Sequence, residues 1–553
     1  MSTTNTAGVS CRNLLGATAG VAAAGAALTL GQKTYAQAAV ADADDYDWDY
    51  ECDILFVGAG ASMMGAIDAH NAGAKVMLIE KRDVLGGDTW LCGGVIRAGG
   101  NTRAQQEAGI IDERTGEPDT LEQMYEDWFV EEAGGQADPE VVRKCVEWSP
   151  GYIDWFMDRG VTFKIFTAGV FPVGRSHQCG MEGELFAGIG KPYTDAMHAE
   201  LDKLGVEYHT NTRGIHVLQD RDRKVIGVQA VDMNTGEVKY YKAKAVVLST
   251  GGNAWNDELN ARYNPETINC LSNTGAQVTS EINPRPFGTG DGHIMAMECG
   301  AAMTGFKKID PGTSVPQPIG MFGEGEQTTS FHQYAQNVEK SLIFVNMDGE
   351  RFCDETKGYE NQIGADIMAQ RLNRAAVIID QAMWDQPDYV LVGSNGSKDH
   401  MEELLEKGLV AKGETIEELA AALYVNAENL AATVAAFNEI ADNGEDPDFG
   451  RPAQSMRPID EPPYYGFIIK AGGKGAAINV DVNNKMEVLD TAGLKIPGLY
   501  ASGIWYNYGM VDRIVFGVGD FYKGGSGMGV NASITTAKIA AESAVEYLDS
   551  LGA

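Results

Sequence analysis

The sequence predicts an α/β fold with a parallel sheet at its centre, and three observations carry that prediction. Asp53-Ile54-Leu55-Phe56-Val57 is a short apolar run of strand formers, followed at once by Gly58-Ala59-Gly60 and a helical stretch ending near Ala72-Gly73. A second run, Lys75-Val76-Met77-Leu78-Ile79, ends in Glu80, 22 residues after Gly58. Strand, glycine turn, helix, strand and acid in that order make a βαβ unit of the Rossmann-like type. The third observation is glycine: 67 of 553 residues, about 12% against roughly 7% in average proteins. Much of the excess gathers at 58–65, 86–100, 250–252, 288–292, 472–475 and 524–529. It therefore marks particular close backbone approaches rather than loops in general.

Each part of the first unit has a physical reason. Gly58 permits the tight turn, and Gly60 lets a pyrophosphate reach the start of the helix at Ala61, where unpaired N–H groups and the helix dipole favour an anion. Glu80 is placed to accept ribose hydroxyls. The third glycine of the fingerprint is replaced by Met63, so close strand–helix packing has to be achieved differently. Lys81 leads into a second glycine turn, Gly86-Gly87-Asp88-Thr89, and then Gly93-Gly94. Downstream, Ala245 to Leu248 is a strand running into Thr250-Gly251-Gly252, and Gly290-Asp291-Gly292 opens a helix. Leu499-Tyr500-Ala501-Ser502-Gly503 is a last strand, and Gly527-Met528 begins the last helix. This spread of glycine turns indicates FAD rather than NAD as the dinucleotide.

Charge and cysteine usage narrow the partners. With 43 Lys+Arg against 78 Asp+Glu, the net charge of −35 argues against nucleic acid and anionic membranes. Asn13 to Gly31 is uncharged and rich in Ala, Gly and Leu, preceded by Arg12 and followed by Ala36-Gln37-Ala38. Residues 1–38 therefore read as a signal peptide cleaved near Ala38, with the protein exported to the cell envelope. Ser10-Cys11-Arg12-Asn13-Leu14-Leu15 is similar to a twin-arginine signal whose first Arg is Cys, which leaves the export route open. Residues 39–51 read as an acidic, solvated linker. The cysteines at 52, 92, 145, 179, 270, 299 and 353 have no C-x-x-C or haem-attachment spacing. They read as buried thiols, no metal site is expected, and a cluster assembled from distant cysteines stays open.

Further ordered motifs are Asn211-Thr212-Arg213, Arg262-Tyr263-Asn264-Pro265, Phe344-Val345-Asn346 through Gly349-Glu350-Arg351-Phe352 to Glu355, Asp446-Pro447-Asp448-Phe449-Gly450-Arg451-Pro452 and Pro463-Tyr464-Tyr465-Gly466. With them, the chain resembles over residues 52–545 the flavoprotein family of fumarate reductases and 3-ketosteroid Δ1-dehydrogenases. Among its members it is similar to exported reductases of gut actinobacteria. The resemblance implies an FAD-binding domain in two parts, 52–306 and 473–553, with an inserted α+β capping domain at 307–472. Substrate would lie between the cap and the flavin, which exchanges a hydride with one carbon while a protein acid serves its neighbour. No His follows Gly86-Gly87, where covalent members attach the cofactor, so non-covalent FAD is expected. Electrons would come from a separate donor, a cytochrome, a quinol-linked protein or another reductase.

The dicarboxylate branch of that family uses cations that this chain lacks where the resemblance places them. Asp310-Pro311-Gly312-Thr313 carries no His; Asp380 leads to Gln381, Ala382, Met383 and Trp384 rather than an acid Arg; no His follows His400; and Tyr522-Lys523 stands where a clamp Arg precedes the glycine pair. Tyr522, with Tyr464-Tyr465 facing the same ring, instead resembles the steroid-active branch. Tyr465 and Tyr522 are the leading acid candidates, with Tyr464, Lys523 and Arg513 as alternatives. Glu355 occupies the place of a proton-relay acid but lacks the relay's Arg, since Lys357 and Gly358 follow, and with Arg351 it reads as a brace of the cap. His177 reads as structural. Trp505, Tyr506, Tyr508, Phe516 and Phe521 are core or pocket aromatics. The expectation is reduction of an activated C=C bond in a neutral enone or unsaturated lactone. The alternatives are Δ1-dehydrogenation, fumarate-, urocanate- or cinnamate-type respiratory reduction, and an electron-transfer subunit without its own substrate.

Overall fold

The computed structural model describes residues 42–552 apart from 93, 168–170, 180–189, 254–255, 264–287, 305–310, 315–341, 356–365, 368, 386–401, 403–404, 409, 474–477, 505–509, 512–513 and 516–527. The chain opens with β1 (Tyr50–Val57), α1 (Ser62–Asn71), β2 (Val76–Ile79) and a short α2 (Gly87–Leu91). It continues through β3 (Glu207–His209), β4 (Thr212–Gln219), β5 (Val225–Asp232), β6 (Val238–Leu248) and α3 (Asp291–Glu298). Next come β7 (Pro311–Ser314), β8 (Ile343–Asn346), β9 (Ala375–Ile379), α4 (Gln381–Trp384), β10 (Ala411–Gly413), α5 (Ala427–Asn443) and β11 (Tyr464–Gly473). It closes with β12 (Glu487–Leu489), β13 (Lys495–Ala501) and α6 (Met528–Ser550).

The main sheet runs β12-β13-β6-β1-β2-β3, with β5 on β6 and β4 on β5. β1 is parallel to both neighbours, Phe56 lying opposite Leu78 on one side and Val247 on the other. Its residues from Leu55 to Val57 are all buried, as expected of a parallel strand covered on both faces. β6 is long because it serves three partners. Along one edge it follows β1, while along the other Val238–Lys242 pair with β5 and Val246–Leu248 pair with β13. The C-terminal segment thus joins the sheet begun by residue 50.

A second sheet, β7-β11-β9-β8 with β10 on β11, is built from antiparallel pairs. Side chains alternate across it: Phe344, Val377, Tyr465 and Phe467 enter one core, Ile343, Val345, Ala376 and Ile378 the other. The buried residues of these two cores lie within 342–469, whereas the core of the main sheet draws on 52–301 and 480–548.

Two details differ from the sequence reading. Residues 42–51 are not a solvated spacer throughout: Trp48 Nε1 donates to the Ala43 carbonyl (2.8 Å), Asp49 N to the Tyr240 carbonyl (3.0 Å), and the Tyr46 ring packs on Trp48 and Tyr240. The aromatics set among the acids give this stretch an apolar reason to fold back. The glycine that does permit a close approach lies two residues past Met63 and serves a helix rather than a strand: a Cβ on Gly65 would overlap the Ala537 carbonyl of α6. Gly65→Ala should therefore destabilise by about 1–3 kcal/mol. Gly151→Ala, where a Cβ meets nothing within 4 Å, should be neutral or stabilising. Thermal unfolding of the two variants checks the contrast.

Candidate active site

The carboxyl ends of β13, β6, β1 and β2 stand side by side. Ser249 N donates to the Val57 carbonyl (2.8 Å), Gly58 N to Ile79 (2.8 Å) and Ser502 N to Leu248 (2.9 Å), while the Ser249 and Ser502 hydroxyls are 2.7 Å apart. β1 lies between β2, which follows it in the chain, and β6, beyond which the order continues to β13, so the strand order reverses here, at the crevice where such sheets bind ligands. The N-terminus of α1 faces it. Its cap residue, Ala61, offers no side-chain acceptor; Met63 N and Met64 N turn back to the Gly60 and Ala61 carbonyls (3.1 and 3.2 Å), so the N–H groups just before them, at the very start of the helix, are the ones placed for an anion.

The glycines of three turns converge here. A Cβ on Gly58 would overlap the Ser249 carbonyl; one on Gly60 would lie 3.4 Å from Thr89 Oγ1 and 3.5 Å from the Gly86 carbonyl; one on Gly87 would lie 3.8 Å from Gly60 Cα; and one on Gly251 would lie 2.8 Å from Asp88 Oδ2. Glu80 is buried, its two oxygens accepting from Ala59 N (3.0 Å) and Arg82 N (2.9 Å), and the second lone pair of each remains for hydroxyls. Uncapped helix, glycine cradle and anchored acid together fit a dinucleotide.

The remaining expected cofactor residues frame this cradle. Thr250 Oγ1 accepts from Gly292 N (2.9 Å) and the Gly252 carbonyl from Gly290 N (3.1 Å), stitching that loop to α3. Gly503 N donates to Thr536 Oγ1 (3.2 Å), Met528 is buried at the start of α6, and the Gly94 carbonyl accepts from the Tyr193 hydroxyl (2.8 Å). Gly93 and Gly527 lie outside the described residues. Lys81 and Asp291, expected at the cofactor, bond to each other (3.0 Å), with Arg213 on the second Asp291 oxygen (2.5 Å). They brace the rim, because a buried aspartate needs cations of its own. Burial opposes its charge, but Lys81 and Arg213 outweigh burial and hold Asp291 down to about 2.

In the cap, Tyr465 is buried, stacks on Trp384 at 4.1 Å between ring centroids, and donates its hydroxyl to Gln381 Oε1 (2.8 Å). Burial raises its pKa, so it keeps its proton. Tyr464 does not face the same ring. The two are successive residues of β11, so their side chains leave opposite faces of the sheet, and Tyr464 packs on the other core. Glu355 has the surroundings of the brace and not of the proton-relay acid for which it is also a candidate. It is buried and held by Arg351 (2.9 Å), Arg451 (3.0 Å) and Phe344 N (3.2 Å), so its oxygens are committed to structure. Arg351 is the local partner already paired with Glu355, and Arg451 adds a second guanidinium from far along the chain. Tyr522, Lys523, Arg513 and the five insertion aromatics lie outside the described residues.

His177 matches its structural reading: fully buried, bonded to Thr102 Oγ1 (2.8 Å) and the Arg175 carbonyl (3.0 Å), and pushed down to about 4 by burial. Six cysteines are buried free thiols, Cys270 lies outside the described residues, and among the described residues no group of acids, His and Cys could hold a metal. Sequence spacing missed three working residues: Gln381 and Trp384, the partners of Tyr465, and Arg451, 96 positions from Glu355.

A family model described as FAD binding domain matches residues 53–512. The chain is 30% identical over 467 residues to the urocanate reductase of Eggerthella lenta, covering 82% of this chain and 69% of that protein. It is 27% identical over 549 residues to the digoxin reductase of the same organism, covering 92% of each. The open flavocytochrome c3 fumarate reductase shares the fold, with a TM-score of 0.69 and 24% identity over 94% of this chain and 83% of that one.

The Asp291 site has a pH signature. A carboxylate held below its ordinary 3.8 stabilises the fold above that value, and the contribution is lost as pH falls toward 2. Between about pH 5 and about pH 3, wild-type protein should lose about 1 kcal/mol more unfolding free energy than Asp291→Asn. Urea unfolding at the two pH values measures the difference.

Proposed function

The chain belongs to the FAD binding domain family, and from that premise we propose that it is an exported reductase adding hydride and proton across the activated C=C bond of a neutral enone or unsaturated lactone, steroid-, cardenolide- or plant-derived, with FAD held non-covalently. At the coarser level it is an FAD-dependent oxidoreductase acting on carbon–carbon double bonds. Bound FAD supplies the hydride chemistry. The chain's part is to hold the dinucleotide on Gly58–Ala61 and Glu80, to exclude water with the cap, and to keep a proton at a tyrosine hydroxyl.

One observation carries the substrate class. Where the resemblance places an acid Arg for dicarboxylates, α4 presents Gln381 and Trp384, bonded and stacked on Tyr465. These three side chains are themselves uncharged, with the Lys412 ammonium 5.8 Å over the Tyr465 ring and Asp385 bonded to Gln381, and a flat uncharged set suits a planar ring system better than two carboxylates. The likeness to urocanate reductase supports a second reading, a planar aryl acrylate carrying one carboxylate. The signal-like segment with Arg12 and Ala36-Gln37-Ala38 supports export. Absence of a haem-attachment motif in the sequence supports a separate electron donor, a cytochrome, quinol-linked protein or other reductase.

Purified protein should be yellow and release its FAD on acid treatment; flavin that stays with the acid-precipitated chain would refute non-covalent binding. Reduced enzyme offered fumarate, urocanate, cinnamates, ketosteroids and cardenolides should be reoxidised by the neutral enones or lactones, and fast reoxidation by fumarate would overturn the substrate class. Tyr465→Phe and Tyr522→Phe should each retain FAD, and the one that removes the proton donor should slow reoxidation by about 10²-fold or more. Two fully active variants would discard the tyrosine assignment.

A further inference from the structure

Two acids face the dinucleotide cradle, and their surroundings differ. Glu80 has both oxygens held by backbone N–H groups, at 3.0 and 2.9 Å. Asp88 has no such anchor. Its Oδ1 is buried without a hydrogen-bond partner among the described residues, and its Oδ2 lies against Gly251. The neighbouring cations are turned to other partners: Lys81 to Asp291 and Thr289, and the Arg82 guanidinium over the Trp90 ring at 5.3 Å. Asp88 follows Gly87, which stands against Gly60 at the pyrophosphate end of the crevice.

A bound dinucleotide changes this site in two ways, both of the same sign. Its pyrophosphate brings negative charge close to Asp88, and its bulk covers what solvent the side chain still sees; each disfavours a carboxylate. A carboxylic acid, by contrast, has an O–H to donate to a phosphate or flavin acceptor, which a carboxylate lacks. We propose that Asp88 is a neutral carboxylic acid in the FAD-loaded protein, so that FAD binding takes up one proton at this residue and FAD release frees it. The inference rests on FAD binding and adds a proton to it.

The charged and thiol groups around Asp88 agree with this direction. Burial raises its pKa most, Arg82 and Lys81 work against that, Glu80 adds to it, and the result stands at about 7 before any ligand is counted. Cys92, the other titratable neighbour, is pushed up to about 11 by burial and stays a neutral thiol. With a value near 7 in the empty site and a higher one in the loaded site, affinity is constant below about pH 7. Above it, affinity falls about tenfold per pH unit until the loaded value is passed.

The test is the dissociation of FAD from diluted holoenzyme, followed by flavin fluorescence from about pH 6 to about pH 9, in wild-type protein and Asp88→Asn. Wild-type Kd should rise about tenfold per pH unit above about pH 7, while the variant binds FAD with a flat profile. A second measurement needs no variant: release of FAD from holoenzyme in weakly buffered solution at about pH 8 should free close to one proton per flavin. A flat wild-type profile, an equal slope in Asp88→Asn, or release without a proton would each overturn the proposal. Protein that holds no FAD at any pH would overturn the FAD reading itself.

Discussion

The contact between Gly58 and the Ser249 carbonyl is so close that no side chain fits between them. β1 can therefore end only in glycine, and its final peptide is pressed against the end of β6. From that contact the rest of the crevice follows. Gly58 N is already spent on Ile79 and Ala59 N on Glu80, which fixes the turn and leads the chain by Gly60 into the uncapped start of α1. The Ser249–Ser502 bond then brings β13, some 250 residues downstream, to the same edge. A cofactor site made from both ends of a long chain is a consequence of backbone proximity, and glycine is the residue that permits it.

The cap depends on a different kind of constraint. Arg351 and Arg451 are buried with Glu355 and Asp446, two cations with two acids, and the Phe437 ring lies 5.0 and 5.4 Å from the two guanidiniums. The net charge of the group is zero, which is the condition for burying it at all. Arg451 also ties down the Leu342 and Ser455 carbonyls, both at 2.6 Å. Removing one member would strand a charge at a cost of about 3–5 kcal/mol, so the network fixes how the strand at 343–346 meets the loop at 446–455.

The contrast explains what could be read in advance. The βαβ unit was legible because its signals are local: apolar runs of strand length, glycines at turn spacing and an acid at the end of β2. The two cap motifs, Gly-Glu-Arg-Phe and Asp-Phe-Gly-Arg-Pro, were visible only as a resemblance. Their meaning is a pairing across nearly 100 residues, for which a single sequence has no marker. Tyr464 departs from its expected place beside Tyr465 for a simpler reason: adjacency in a strand means opposite faces, and the strand period outweighs closeness in the chain. The acidic segment at 42–51 was read by its charges, although Tyr46 and Trp48 decided its place.

Electrostatics then links cap and substrate. Arg351, Arg451 and Arg457 are each bonded to a carboxylate, Arg457 to Asp380 at 2.7 Å. A dianionic substrate recruiting any of these would strip a buried acid of its partner and meet the field of a chain with net charge −35 as well. A neutral planar substrate meets neither cost. The uncharged Trp384–Tyr465 stack, its hydroxyl held by Gln381, lies within the cap core and suits the neutral planar substrate proposed for this chain. The same charge balance bears on the cofactor. FAD brings its own anion into an acidic molecule, so the cradle has to rely on backbone N–H groups and the α1 dipole for attraction, and on keeping nearby acids either anchored, as at Glu80, or uncharged.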